Sequence, residues 1–213
     1  MPESEANPPA RPKYQKKKIS RAKLLEAAFK VFVERGYEGA SLDRVAEAAG
    51  FSKGAVYSNF ASKDELFFEL VAARIDRAIE AVREATQRQG ARQGKVRDAS
   101  DTQAIGRELR KVLDEDDEAW QMLILEFLLR CNRNESLKAK FLERRRAMRS
   151  KIADLNLALA KVSGIEMSRT ESMNLATAVL ALSNGLGIER IIDEDAVPSR
   201  LFGELLSRIT FKR

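Results

Sequence analysis

The chain has no histidine and one cysteine among its 213 residues. Those two shortages exclude imidazole acid-base catalysis, Ser-His-Asp and Cys-His nucleophile systems, and His-ligated metal sites. A solitary Cys131 can form neither an intrachain disulfide nor a Cys-rich zinc site. On a helix it reads as a small buried apolar residue, with a redox-sensing thiol as the other reading. Long apolar runs are also missing: none approaches the roughly 20 residues that span a bilayer, and the charged, proline-containing start is not a signal peptide. A cytoplasmic protein without a membrane partner is expected. The length suits one sizeable core with a small domain appended.

Of the five prolines, four stand in the first 18 residues, at Pro2, Pro8, Pro9 and Pro12, beside Arg11, Lys13, Lys16, Lys17 and Lys18. Residues 1–18 therefore read as a disordered basic tail, either a DNA-following arm or a solubilising extension. The formal charge of +6 is unevenly spread, with 12 Lys and Arg against 7 Asp and Glu in residues 1–63 and near balance beyond. A basic head on a neutral body points to phosphate partners and to binding that weakens steeply with salt.

The richest segment is Ser41 to Leu66, SLDRVAEAAGFSKGAVYSNFASKDEL. Leu42, Val45, Ala46 and Ala49 repeat at helical spacing behind Ser41 as N-cap, and Gly50 can take the left-handed conformation that ends a helix. Ser52 then caps a second short helix. Ala55, Val56 and Phe60 can pack inward there, leaving Lys53, Gly54, Tyr57, Ser58 and Asn59 outside. Lysine and asparagine can bond base edges or phosphates, tyrosine offers a hydroxyl and an apolar ring, and glycine permits close backbone approach. Ser62 and Glu65 form an S-x-x-E capping box, which places Lys63 at a helix N-terminus suited to phosphate. This is a helix-turn-helix aimed at a nucleic-acid groove.

From Arg21 to Leu70 the chain resembles the TetR family of transcriptional regulators. The resemblance rests on a leading helix with Leu25, Ala28, Phe29 and Phe32 on one face, then Gly36-Tyr37, Ser41, Val45-Ala46, Ala49-Gly50, Ser52-Lys53-Gly54, Val56-Tyr57, Phe60 and Lys63. It implies that Ser41 and Arg44 lie near the DNA backbone, that Lys53, Gly54 and Ala55 meet bases, that Tyr57 meets a base methyl or phosphate, and that Asn59 and Lys63 meet phosphates. Ser58 stands where a larger aromatic is common, and Asn59 where histidine is frequent. The implied architecture is all-α: a tail over 1–18, a three-helix DNA-binding domain over 19–65, and a larger helical bundle over 66–213 for ligand binding and dimerisation.

The remaining sequence is helical in rhythm over about Ser62–Arg88, Asp101–Leu113, Asp117–Arg130, Glu135–Val162, Ser168–Ile192 and Pro198–Phe211, with a loop over Gln89–Ser100. The block around Trp120 is apolar on nearly every side and is expected in the middle of the bundle. Trp120, Met122, Phe127, Arg130, Cys131 and Asn132 are candidates for a small-molecule effector site, packed core being the alternative. Arg144, Arg145 and Arg146 point three ways on one helix, a solvated face from which one could reach an acidic effector. The acidic run Asp114–Glu118 reads as capping of a helix N-terminus rather than as a metal site, and no cofactor is expected. Leu175, Val179, Leu182 and Leu186 make one apolar line, and Leu201, Phe202, Leu205 and Ile209 another. Small residues between them suggest a homodimer interface built from two helices per subunit, as the resemblance implies.

The function expected is a regulator, most simply a repressor, that holds a pseudo-palindromic double-stranded operator as a homodimer and is released by a small molecule. The alternative is an effector-independent architectural or nucleoid-associated protein. An enzyme is not expected: Glu126, Arg130, Glu143 and Asp154 form no nucleophile-base-orienter set.

Overall fold

The computed structural model describes residues 13–90, 98–114 and 117–210. They divide into two compact units, Met1–Leu70 and Val71–Arg213, and every regular element described is helical. Residues 1–12 of the proposed tail, 91–97 of the proposed loop, and Glu115 and Asp116 of the acidic run lie outside the described residues.

In the first unit, α1 (Lys13–Gly39) begins inside the segment assigned to the tail and is interrupted at Gly36, whose φ of 67° departs from helical geometry. Leu24, Ala28, Val31 and Phe32 are buried, while Leu25 and Phe29 are half-buried, so the core face lies slightly to one side of the stripe read from the sequence. The Gly36 break turns the chain so that Tyr37 stacks on Phe32, with ring centroids 5.6 Å apart, and Phe67 meets both rings edge-on. Such offset and edge contacts add to the hydrophobic gain of burying three aromatics. Helices α2 (Leu42–Ala49) and α3 (Lys53–Tyr57) follow, and then α4 (Lys63–Gly90). Arg21 braces α1 against α4 by an ion pair to Glu69 at 2.6 Å and sits 5.0 Å above the Phe60 ring.

The second unit contains the rest of α4 with α5 (Ala99–Asp114), α6 (Asp117–Asn132), α7 (Glu135–Ser163), α8 (Arg169–Ile192), a 3-10 turn at Glu194–Ala196 and α9 (Leu201–Thr210). The helical rhythm places these elements to within a few residues, and the short turn before Pro198 is the addition. Val82, Ala85, Ile105, Leu109, Leu155 and Phe202 form a shared core. Helices α5 and α9 cross backbone against backbone: a Cβ on Gly106 would lie 2.6 Å from the Gly203 Cα. The α7–α8 pair is locked by the buried Ser172 hydroxyl, which donates to the Ala153 carbonyl at 2.6 Å.

Helix α8, at 24 residues, is long and apolar enough by length and average composition to cross a membrane, although Asn174, Ser183 and Asn184 break it into short apolar runs. One expectation fails here. Helix α6 is not covered on every side, because Met122 and Leu129 are 54% and 67% exposed. It packs on α7 and α8 through Trp120, Leu123, Phe127 and Cys131, which leaves its opposite face bare.

Candidate nucleic-acid interface

The helix-turn-helix is built by caps. Ser41 Oγ accepts from the Arg44 N–H, and Gly50, at φ 68° and ψ 31°, closes α2 by donating to the Ala46 and Glu47 carbonyls. The Phe51 N–H adds a bond to the Ala46 carbonyl at 2.9 Å, and Ser52 Oγ opens α3 by accepting from the Ala55 N–H. These bonds satisfy helix-end groups that the sharp turn would otherwise leave bare. Val45, Val56, Phe60 and Leu66 are completely buried beneath.

Outside stand Arg44, Ser52, Lys53, Gly54, Tyr57 and Ser58, all exposed, with Ser41, Ala55, Asn59 and Lys63 half-buried. Tyr57 is 53% exposed, a large outlay of aromatic surface for a residue that serves no core. A Cβ added to Gly54 meets nothing within 4 Å, so nothing inside the chain requires glycine there. Lys53 Nζ reaches back to Asp43 Oδ2 at 2.5 Å. The hydrogen bond from Lys53 holds the Asp43 carboxyl below its ordinary range, and the same bond raises Lys53. The Tyr57 hydroxyl adds a smaller lowering of the same carboxyl, although no hydrogen bond of normal geometry reaches its Oδ1 among the described residues.

Three side chains do something other than the sequence suggested. Lys63 turns inward, donating to the Tyr37 carbonyl at 2.7 Å and the Glu38 carbonyl at 3.1 Å, with its ammonium 4.7 Å from the Tyr37 ring centroid. It closes the seam between the end of α1 and the start of α4, where Tyr37 OH also bonds Asp64. Asn59 donates to the Ala55 carbonyl at 2.7 Å and so finishes α3, beside Ser58 Oγ on the same carbonyl. The capping box is offset: Ser62 accepts from the Glu65 N–H, but the Glu65 carboxylate accepts from Ala61 rather than from Ser62.

In the second unit a cavity of about 150 Å³ is walled by α4, α5, α7, α8 and α9 rather than by the apolar α6. Of the six α6 candidates Trp120 lines a second cavity of about 130 Å³, and the other five line neither of the two. Phe127 and Cys131 are core, Arg130 is half-buried, and Met122 and Asn132 are exposed. Sequence reasoning missed Ile75, Ile79, Ile105, Leu155 and Met167, because helical spacing marks burial without telling a filled core from a hollow one. Leu175, Val179 and Phe202 of the paired apolar lines face the larger cavity, and Leu182 and Leu186 pack on the core, so these lines serve the chain's own interior. Leu201 and Leu205 are half-buried and Ile209 is 43% exposed.

A three-helix head whose last helix is capped and exposed is the architecture of a helix-turn-helix DNA-binding domain, here followed by a larger helical bundle. Residues 24–70 match the family described as bacterial regulatory proteins, tetR family. By its head the chain resembles the TetR family, and the match is confined to that head. It is 43% identical over 65 residues to the transcriptional activator FasR of Mycolicibacterium smegmatis, a stretch covering 30% of each protein. It is also 43% identical over 65 residues to the transcriptional repressor AcnR of Corynebacterium efficiens, covering 30% of this chain and 35% of that one. These alignments thus span about a third of the curated relatives. A transcriptional regulator of Rhodococcus sp. RHA1 superimposes over 89% of this chain and 93% of its own, with a TM-score of 0.58 and 26% identity.

Proposed function

We propose that the protein is a transcriptional regulator that binds a pseudo-palindromic DNA site as a homodimer and is released when a small molecule enters its helical body. The observation that carries this reading is the outer face of α3. Lys53, Gly54 and Tyr57 project from a helix capped by Ser52, and the absent Cβ of Gly54 has no use inside the fold. Ser41, Arg44, Ser52, Ala55 and Ser58 flank that face and would meet backbone or base edges. Asn59 and Lys63 would act mainly by fixing the shape of the head.

Pairing is inferred through the outer faces of α8 and α9. Ala181 and Gly185 are exposed, and nothing lies within 4 Å of a Cβ on Gly185; Ile192 at 73% and Ile209 at 43% exposure extend the same kind of surface. Small residues let a partner helix approach closely, and Leu201 and Leu205 would border the contact. Two heads so joined would address half-sites one DNA turn, about 34–36 Å, apart. Helix α4 contributes to both units and is the element inferred to carry the coupling. Linkage then requires DNA to weaken effector binding by the factor by which effector weakens DNA binding.

Footprinting the purified chain on bacterial DNA tests this reading. A few strong, symmetric protected sites support a regulator; many weak sites with little sequence preference support the architectural alternative.

A further inference from the structure

Two cavities of the second unit differ in chemistry and share walls. The larger is lined by aliphatic side chains with a few neutral polar groups, among them Thr102, Asn156 and Ser163, and no charged residue lines it among those described. The smaller contains two guanidinium groups, Arg74 and Arg145, with Gln121 and Asn184, and no carboxylate lines it among the described residues. Ile75, Leu180 and Ser183 line both. An uncharged apolar chamber and a cationic one therefore stand on either side of a common wall.

Arg145 is the decisive group. Its neighbours Arg144 and Arg146 are exposed, whereas Arg145 is half-buried and lines the smaller cavity. Its one side-chain hydrogen bond among the described residues is a weak contact from Nη1 to the Met148 sulfur at 3.7 Å. Burial, and then the like charge of Arg149, depress its pKa, and no acid offsets them. One turn on, Arg149 leaves its Nε buried without an acceptor among the described residues. Arg74 is 7% exposed, its guanidinium 4.8 Å from the centroid of the Trp120 indole. At Arg145 a positive charge in a partly dry space, with the like charge of Arg149 beside it, is costly, and an incoming anion relieves that cost.

We propose that the two cavities form one site for an amphipathic anion, a long-chain carboxylate whose hydrocarbon lies in the larger chamber and whose carboxylate pairs with Arg145 in the smaller. This rests on the reading above that the body takes a small molecule, and it assigns that molecule's chemical class.

Trp120 is the chain's sole tryptophan and lines the smaller chamber, so its emission is a built-in probe. The DNA-free chain is titrated with hexadecanoate, hexadecan-1-ol and butanoate, each below its micellar concentration, with calorimetry as a second readout. Charge-assisted hydrogen bonds of about 1.5–3 kcal/mol correspond to hexadecanoate binding about 10- to 100-fold more tightly than the alcohol. Butanoate, lacking a tail, should bind weakest. Arg145→Gln should bring acid and alcohol to within about two-fold while leaving the alcohol's affinity nearly unchanged. Equal affinities of acid and alcohol in the parent chain, an unchanged ratio in Arg145→Gln, or no hexadecanoate binding by either readout would overturn the proposal. Should Arg145→Gln fail to fold, the acid-to-alcohol and chain-length comparisons in the parent chain decide it. Hexadecanoate that binds in this pattern but leaves DNA affinity untouched supports the site and removes only the release reading.

Discussion

Lys53 and Asp43 are paired across the helix-turn-helix, Nζ to Oδ2 at 2.5 Å, so the cation at the front of α3 is already engaged by a carboxylate. Any phosphate or guanine that recruits Lys53 must compete with Asp43. Asp43→Asn removes the competitor and one repulsive charge. Tighter duplex binding and a log-log salt slope steeper by about one are expected, measured by fluorescence anisotropy across a salt series. An unchanged slope would show that Lys53 does not meet the nucleic acid.

Gly54 separates fold from function. Alanine fits there without contact inside the chain, and alanine is the better helix former, so Gly54→Ala should leave the thermal midpoint unchanged or slightly raised. Duplex affinity should nevertheless fall at least about ten-fold, because the added methyl occupies the space into which the groove would come. Stability by calorimetry and affinity by anisotropy on one preparation check this; undiminished binding would remove α3 from the interface.

Lys63 behaves in the opposite way. Its ammonium holds the Tyr37 and Glu38 carbonyls, so Lys63→Ala should cost about 1.5–3 kcal/mol of head stability, the range of charge-assisted hydrogen bonds. Its DNA affinity should fall in step with the unfolded fraction at all salts. Tyr57→Ala, by contrast, should keep the head folded and lose affinity by amounts that depend on base sequence. Chemical denaturation of both variants alongside binding to two different duplexes distinguishes the roles.

Gly203 tests the body. A methyl placed there would lie 2.9 Å from the Gln103 carbonyl oxygen, so Gly203→Ala must push α9 from α5 at a cost of about 1–3 kcal/mol. A drop in the thermal midpoint is the expected result.

Most of this fold was legible because its signals are local. Ser41, Gly50 and Ser52 act within four residues of themselves, and the order of apolar positions set the helix limits closely. The exposed outer face of α3 was legible for the same reason. The inward bonds of Lys63 were not legible, because its partners, Tyr37 and Glu38, lie 26 and 25 residues earlier and are brought near by the break at Gly36. The cavity walls were misassigned for a related cause. Val179 and Phe202 carry the same apolar spacing whether they meet a partner subunit, a filled core or an open space, and only the packing of five helices decides among these.

The central claim is that the capped face of α3 reads duplex DNA as one of a symmetric pair, and selection of bound sequences from a random duplex pool by the purified chain tests it most directly. The account predicts enrichment of an inverted repeat with half-site centres about 10–10.5 base pairs apart, or a multiple of that spacing, lost in Gly54→Ala. A pool that stays random after repeated selection at low salt, or one enriched equally by Gly54→Ala, would contradict it.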